Sequence, residues 1–161
     1  MAEETVITNP DLASIGKIKL SEYGFFTGTL KELSPVEGVI PYALNSALFS
    51  DYAFKKRFLK IPATSKVKYN FDDVFDFPEG TVLIKNFFYP ADFRYPEKDI
   101  RILETRLLIH EGGDWKTLPY IWNDEQTEAY LNIAGKSIDV SWTHYDGSAR
   151  QVNYSVPNMN Q

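Results

Sequence analysis

The chain contains no cysteine, only two histidines and no long apolar run. Each absence removes a class of chemistry. Without thiols these residues form no disulfide, thiolate nucleophile, Cys-based zinc site or covalent haem link. The compartment stays open, because exported proteins can lack cysteine too. No stretch approaches the roughly 18 apolar residues of a membrane helix, so membrane insertion is not expected. Met1-Ala2-Glu3-Glu4 is acidic and no apolar stretch follows it, so no signal peptide is visible. A cytosolic protein would look like this, and so would a chain already freed of its signal. Basic residues are also outnumbered, 17 against 22 acidic, and the signs are interspersed. An acidic chain with no basic stripe is not expected to bind nucleic acid or an anionic membrane surface.

What is present points to strands. The length, 161 residues, suits one domain with its own core. Aromatic residues reach 15%, and with Val and Ile spread throughout they favour β-structure. Residues 1–20 read as a polar lead-in. Residues 21–50, rich in Gly, Pro and Ser around apolar residues, read as irregular chain laid over a core, with short strands. Strand signals then become regular: 55–61, 65–70, 80–89, 101–110, 115–122, 127–133, 137–145 and 150–156. Glu111-Gly112-Gly113-Asp114 and Asp146-Gly147 are turn signals. The 127–133 run reads as the second arm of a hairpin around 123–126, with a short helix at 124–131 as the competing reading. The expected fold is all-β, an antiparallel two-sheet β-sandwich of jelly-roll type over residues 21–156. The polar tail from Pro157 onward reads as the start of a linker.

Catalytic signals are weak. His110 and His144 stand at the ends of separate strands with no metal-ligand spacing, and the plainer reading is two edge histidines. No Gly-x-Ser-x-Gly elbow and no phosphate-cradling loop appears. A glycosidase needs only two carboxylates, and Asp51, Asp72, Asp73, Asp76 and Glu104 supply candidates, but ordinary surface acids explain them as well. Asp72-Asp73-Val74-Phe75-Asp76 lacks the Gly and closing Glu of an EF-hand loop and reads as a solvated acidic turn. No catalytic residue and no metal ligand is assigned.

Charge inside strands is more informative. Side chains two apart share a face of a strand. Glu104 and Arg106 therefore point the same way, between Ile102 and Leu108. Lys85 sides with Leu83 and Phe87, and Lys55 and Arg57 side with Leu59 and Ile61. If those faces look inward, the charges must be compensated, because a lone buried charge is very costly. Lys55, Arg57, Lys85, Glu104 and Arg106 are thus a candidate polar cluster, either a structural clamp or the floor of a ligand pocket. A second candidate set is aromatic. Trp115, Tyr120, Trp122, Tyr130, Trp142 and Tyr145 crowd the C-terminal half, with Trp115, Tyr120, Trp122 and Trp142 the candidates to stack, if exposed, on a carbohydrate. Core packing is the plainer reading for them.

The order of several short motifs carries a resemblance. Pro41-Tyr42-Ala43-Leu44-Asn45 leads into Leu48-Phe49-Ser50-Asp51-Tyr52-Ala53, Lys55 and Arg57-Phe58. Phe77-Pro78-Glu79-Gly80-Thr81, Ile84-Lys85-Asn86-Phe87, Glu104-Thr105-Arg106-Leu107-Leu108 and Pro119-Tyr120-Ile121-Trp122-Asn123 follow, and Val156-Pro157-Asn158 stands near the end. Over residues 20–161 this resembles the N-terminal domain of a family of exported bacterial di-haem c-type cytochrome-like proteins. The resemblance implies export to the periplasm or cell surface, electron transfer, and a c-type haem held in a C-terminal domain that this chain does not contain. It supplies no catalytic residues, and without Cys-x-x-Cys-His this chain holds no such haem itself. The expected role is that of a non-catalytic N-terminal accessory or binding module. Its expected partners are its own C-terminal haem domain and a carbohydrate or other small ligand. The alternatives are a carbohydrate-binding module using exposed aromatics and a carboxylate-dependent enzyme domain.

Overall fold

Runs of β-branched and aromatic residues punctuated by Gly and Pro become strands in the computed structural model, which describes residues 10–46 and 48–159. Among those residues are β1 (Phe26–Thr27), β2 (Ser34–Pro35), β3 (Val39–Tyr42), β4 (Phe54–Lys60) and β5 (Val82–Pro90). The longer C-terminal elements are β6 (Ile100–Glu111), β7 (Asp114–Trp122), β8 (Ala129–Leu131), β9 (Lys136–Thr143) and β10 (Ala149–Val156). Strands β3 to β8 form one antiparallel sheet in chain order, β9 pairs with β10, and β1 pairs with β2. Helical structure among the described residues is brief: α1 (Pro10–Ile15) and 3-10 turns at Leu20–Tyr23 and Leu30–Glu32.

The all-β, sandwich-like class is the one the pattern indicates. The strand order inside it is a meander. A jelly roll would send successive strands to alternate sheets, whereas here each strand of the large sheet pairs with its sequence neighbour and the chain leaves the sheet only after β8. Short connections favour this order: two residues at the Gly112-Gly113 turn suffice to reverse the chain. Both glycines have positive φ, 63° and 77°, and the Glu79 carboxylate accepts from both of their N–H groups.

The large sheet buries both faces. One is covered by the N-terminal segments, with Leu20, Phe25 and Leu33 packing on Phe58, Ile84, Leu107, Leu118 and Trp122. The other is covered by the β9–β10 hairpin, whose Val140, Trp142, Tyr154 and Val156 pack on Phe87, Tyr89, Leu103 and Ile121. Full burial of a Leu or Ile is worth about 1.5–3 kcal/mol, and Ile84, Leu107 and Leu118 are each fully buried. Leu12 and Ile15, expected in a lead-in, pack against the first core, as does Met159 beyond the last strand.

Three local expectations change. Residues 65–70 form no strand; a single bridge between Lys68 and Asp76 closes an exposed loop instead. The run expected as a strand at 127–133 shortens to β8, and no helix forms there. The Asn123 side chain accepts from the N–H groups of Thr127 and Glu128 and sets a tight turn. A β-bulge in β6 also breaks strict alternation: Phe87 pairs with Glu104 and Phe88 with Ile102, leaving Leu103 as the extra residue. Ile102 therefore joins the N-terminal core while Leu103 joins the hairpin core, so Ile102 does not share a face with Glu104.

Candidate functional site

The five charged residues of the polar cluster come together on the face of the large sheet that the hairpin partly covers. Register sets the arrangement. Arg57 on β4 is paired with Lys85 on β5, and Lys85 with Arg106 on β6. Three cations therefore stand side by side in one cross-strand row, with Tyr42 beyond Arg57 and Pro119 beyond Arg106. At the usual strand spacing the row spans roughly 10 Å. In the neighbouring row Lys55 faces Phe87, and Phe87 faces Glu104.

Glu104 is completely buried, and both its oxygens are engaged. Arg106 Nε donates to Oε1 at 2.7 Å, and the Tyr154 hydroxyl donates to Oε2 at 3.1 Å. The Arg106 guanidinium also lies over the Phe87 ring, 5.0 Å from its centre, and Lys85 Nζ lies 5.1 Å from the same centre. One carboxylate thus serves Arg106. Among the described residues no carboxylate lies within ion-pair distance of Arg57, Lys85 or Lys55. Lys55 Nζ instead donates to the Leu48 carbonyl at 2.7 Å.

The electrostatic consequence falls on the lysines. Partial burial pushes the Lys85 pKa down, and Arg106, Arg57 and Lys55 push it further; Glu104 opposes them. Lys55 is lowered by burial and by Arg57. Like charges directly opposite on adjacent strands destabilise a sheet by about 0.2–1 kcal/mol per pair. The row contains two such pairs, and an anion laid across it would relieve both. Beside the row is a recess of about 260 Å³ bounded by Lys85, Arg106, Thr117 and Asn158.

On the other side of the row lies a larger recess, about 520 Å³, whose floor and walls include Phe49, Tyr52, Phe54, Phe93 and Tyr145 together with Lys55 and Arg57. Its outer wall is the turn at 48–53. Asp51 and Tyr52 both take positive φ, 46° and 64°, which costs non-glycine residues on the order of 1 kcal/mol each. The Tyr89 hydroxyl donates to the Asp51 carbonyl, and the Ala53 N–H to the Ser50 carbonyl at 2.8 Å, so the strained turn is pinned. Phe49 and Tyr52 meet edge to face, and they remain 71% and 47% exposed.

The aromatic candidates do not gather. Tyr120 and Trp122 are buried in the N-terminal core and Trp142 in the hairpin core. Their polar atoms are used internally: the Tyr120 hydroxyl donates to the Lys17 carbonyl, Trp122 Nε1 to Thr105 Oγ1, and Trp142 Nε1 to His144 Nδ1. Trp115 is half-buried between His110 and Phe77. Stacking on a sugar needs exposed faces, and these rings spend theirs on packing. Of the crowded C-terminal aromatics Tyr130 and Tyr145 stay exposed, and the other exposed aromatics among the described residues are Tyr42, Phe49, Tyr52, Tyr69, Phe71, Phe75 and Tyr95. The Phe49–Tyr52 wall was missed because nothing in a sequence marks Asp51 and Tyr52 for the left-handed region; the apolar residues in an irregular stretch were its only trace.

His110 and His144 sit in separate aromatic clusters, and among the described residues no three His, Asp or Glu side chains gather to hold a metal ion. In the acidic turn Asp73 accepts from the Val74 N–H and Asp76 pairs with Lys68. No family model, curated protein or solved structure matches the chain.

Proposed function

We propose that this domain is a non-catalytic binding module, accessory to an exported c-type cytochrome-like electron-transfer protein, and that the Arg57–Lys85–Arg106 row is where it receives an anionic group. One observation carries the binding reading: three strand cations share a cross-strand row that contains no carboxylate, and the buried Glu104 in the neighbouring row is already engaged by Arg106 and Tyr154. A row built only for stability would alternate its charges, since opposite-charge pairs stabilise a sheet and like pairs weaken it. The cytochrome setting rests on the ordered motifs between residues 20 and 161 and is a separate part of the reading. A turnover role is less well supported, because Glu104 is fully buried and both oxygens are held.

Lys85→Glu tests the binding reading. It places an acid between Arg57 and Arg106, so the expected result is a higher melting temperature together with loss of anion binding, read with inorganic phosphate and acetate. A fall in stability with unchanged anion binding would sink the site. The cytochrome setting has its own test: expression from the intact gene in a host that matures c-type cytochromes, followed by a pyridine haemochrome spectrum. A c-type signal supports it, and a haem-free product overturns it.

A further inference from the structure

The recess beside the row has a chemistry of its own. Its mouth is formed by rings left exposed on a turn that the backbone holds in a strained shape, with Asp51 and Tyr52 both at positive φ. Lys55 ties that turn to the sheet through the Leu48 carbonyl, and Tyr89 ties it through the Asp51 carbonyl. The recess also includes Tyr145, 61% exposed, whose ring meets the buried Phe93 ring at 5.5 Å. Arg57 lines the same recess and has no carboxylate within ion-pair distance among the described residues. A planar guanidinium presents paired donors that match a carboxylate, while ring edges and faces favour a flat aromatic body. At about 520 Å³ the space lies within the range of small-molecule sites.

We propose that this recess binds a small aromatic carboxylate, its ring against the exposed rings of Phe49, Tyr52 and Tyr145 and its carboxylate on Arg57. The proposal rests on reading the cationic row as an anion site and adds the class of ligand. Charge complementarity selects the occupant. Two cations at one wall call for an anion, and a bare oxyanion would leave the aromatic wall unused. A neutral ring would leave Arg57 without its partner. Lys55 is a positioning residue here, holding the wall as well as adding charge.

Isothermal titration of the whole chain with benzoate, benzamide, acetate and inorganic phosphate tests it. Benzoate should bind at least tenfold more tightly than acetate, and benzamide at least tenfold more weakly than benzoate. Arg57→Gln should reduce benzoate affinity tenfold or more. Phe49→Ala should weaken benzoate and leave acetate unchanged, which separates the ring from the charge. A melting curve for each variant shows that it folds, and the four-ligand comparison on the unaltered chain stands even if one does not. If acetate or phosphate binds in a Lys85-dependent way but benzoate is no tighter, the aromatic recess is overturned and the anion row survives. If no anion binds at all, both fall.

Discussion

The Tyr154 hydroxyl crosses from the hairpin to the large sheet and donates to Glu104 Oε2 at 3.1 Å, fastening the two layers through a completely buried carboxylate. Arg106 holds the other oxygen from the row beside it. Leaving a buried polar atom unsatisfied costs about 1–3 kcal/mol. Glu104→Gln turns an amide N–H₂ toward donors and removes the charge facing Arg106, so it should lower stability by about 2–3 kcal/mol, more than Tyr154→Phe at about 1–2 kcal/mol. The double variant should lose less than the sum, since both changes break one unit. Urea melts would show this; an unchanged midpoint for Glu104→Gln would mean that the carboxylate fastens nothing.

A second buried polar chain runs on the opposite face. Trp122 Nε1 donates to Thr105 Oγ1 at 2.9 Å, Thr105 Oγ1 donates to Asn86 Oδ1 at 2.6 Å, and Asn86 Nδ2 reaches the Lys56 carbonyl at 3.2 Å. The Thr105 hydroxyl is donor and acceptor at once. Thr105→Val keeps the shape and orphans a group on each side, for an expected loss of about 2–4 kcal/mol. Thr105→Ser keeps the hydroxyl and should cost about 1 kcal/mol for the missing methyl. Equal effects of the two changes in chemical denaturation would refute the chain.

Alkaline titration isolates Lys85. Its folded pKa is depressed, first by burial and then by Arg106, Arg57 and Lys55. For a lysine with a depressed folded pKa the charged form is disfavoured by folding. The penalty is fully present below the folded pKa and disappears above the ordinary lysine value. Lys85→Met should therefore gain stability over the unaltered chain at neutral pH, and the gain should shrink as pH climbs through the folded pKa. The buried tyrosines Tyr89 and Tyr154, whose pKa values are raised mainly by burial, weaken both proteins alike at high pH and cancel in the difference. A difference that stays flat with pH would contradict the crowding of charge around Lys85.

The junction between the sheets depends on one glycine. Gly135 precedes β9 with φ at 81°, and a Cβ there would meet the Val156 carbonyl oxygen at 2.9 Å and the Asn158 nitrogen at 3.1 Å. Gly135→Ala should cost about 2–3 kcal/mol, combining left-handed strain with a backbone clash. Gly112 has a similar φ of 63° but open space around it, so Gly112→Ala should cost only about 1–2 kcal/mol. Thermal melts of the two variants should separate the clash from the strain.

Much of this architecture is legible in the chain. Period-two patterning, β-branched and aromatic runs and turn residues mark β4 to β7, β9 and β10 to within a residue or two, because successive side chains of a strand go to opposite faces and tight reversals favour glycine or asparagine. The same arithmetic put Lys55, Arg57, Lys85, Glu104 and Arg106 in one candidate cluster, and on β4 and β5 the alternation is unbroken. It failed at Ile102, where the bulge at Leu103 shifts the face by one residue. It also gave no account of which aromatics stay exposed, since Trp122 and Trp142 owe their burial to layers contributed by distant segments.

What the sequence determined alone is therefore local: the strand class, most strand positions, and the presence of charge where apolar residues would otherwise stand. Tertiary structure decided everything that depends on register between strands. Only the pairing of β4 with β5 and of β5 with β6 sets Arg57, Lys85 and Arg106 in one row, and only the folded hairpin brings Tyr154 to Glu104 from 50 residues away. Likewise the pinned turn at Asp51-Tyr52, which opens the aromatic recess, exists because Tyr89 and Lys55 reach it from the sheet. Register and long-range hydrogen bonds are pair properties, and a single chain read in order contains the partners without the pairing.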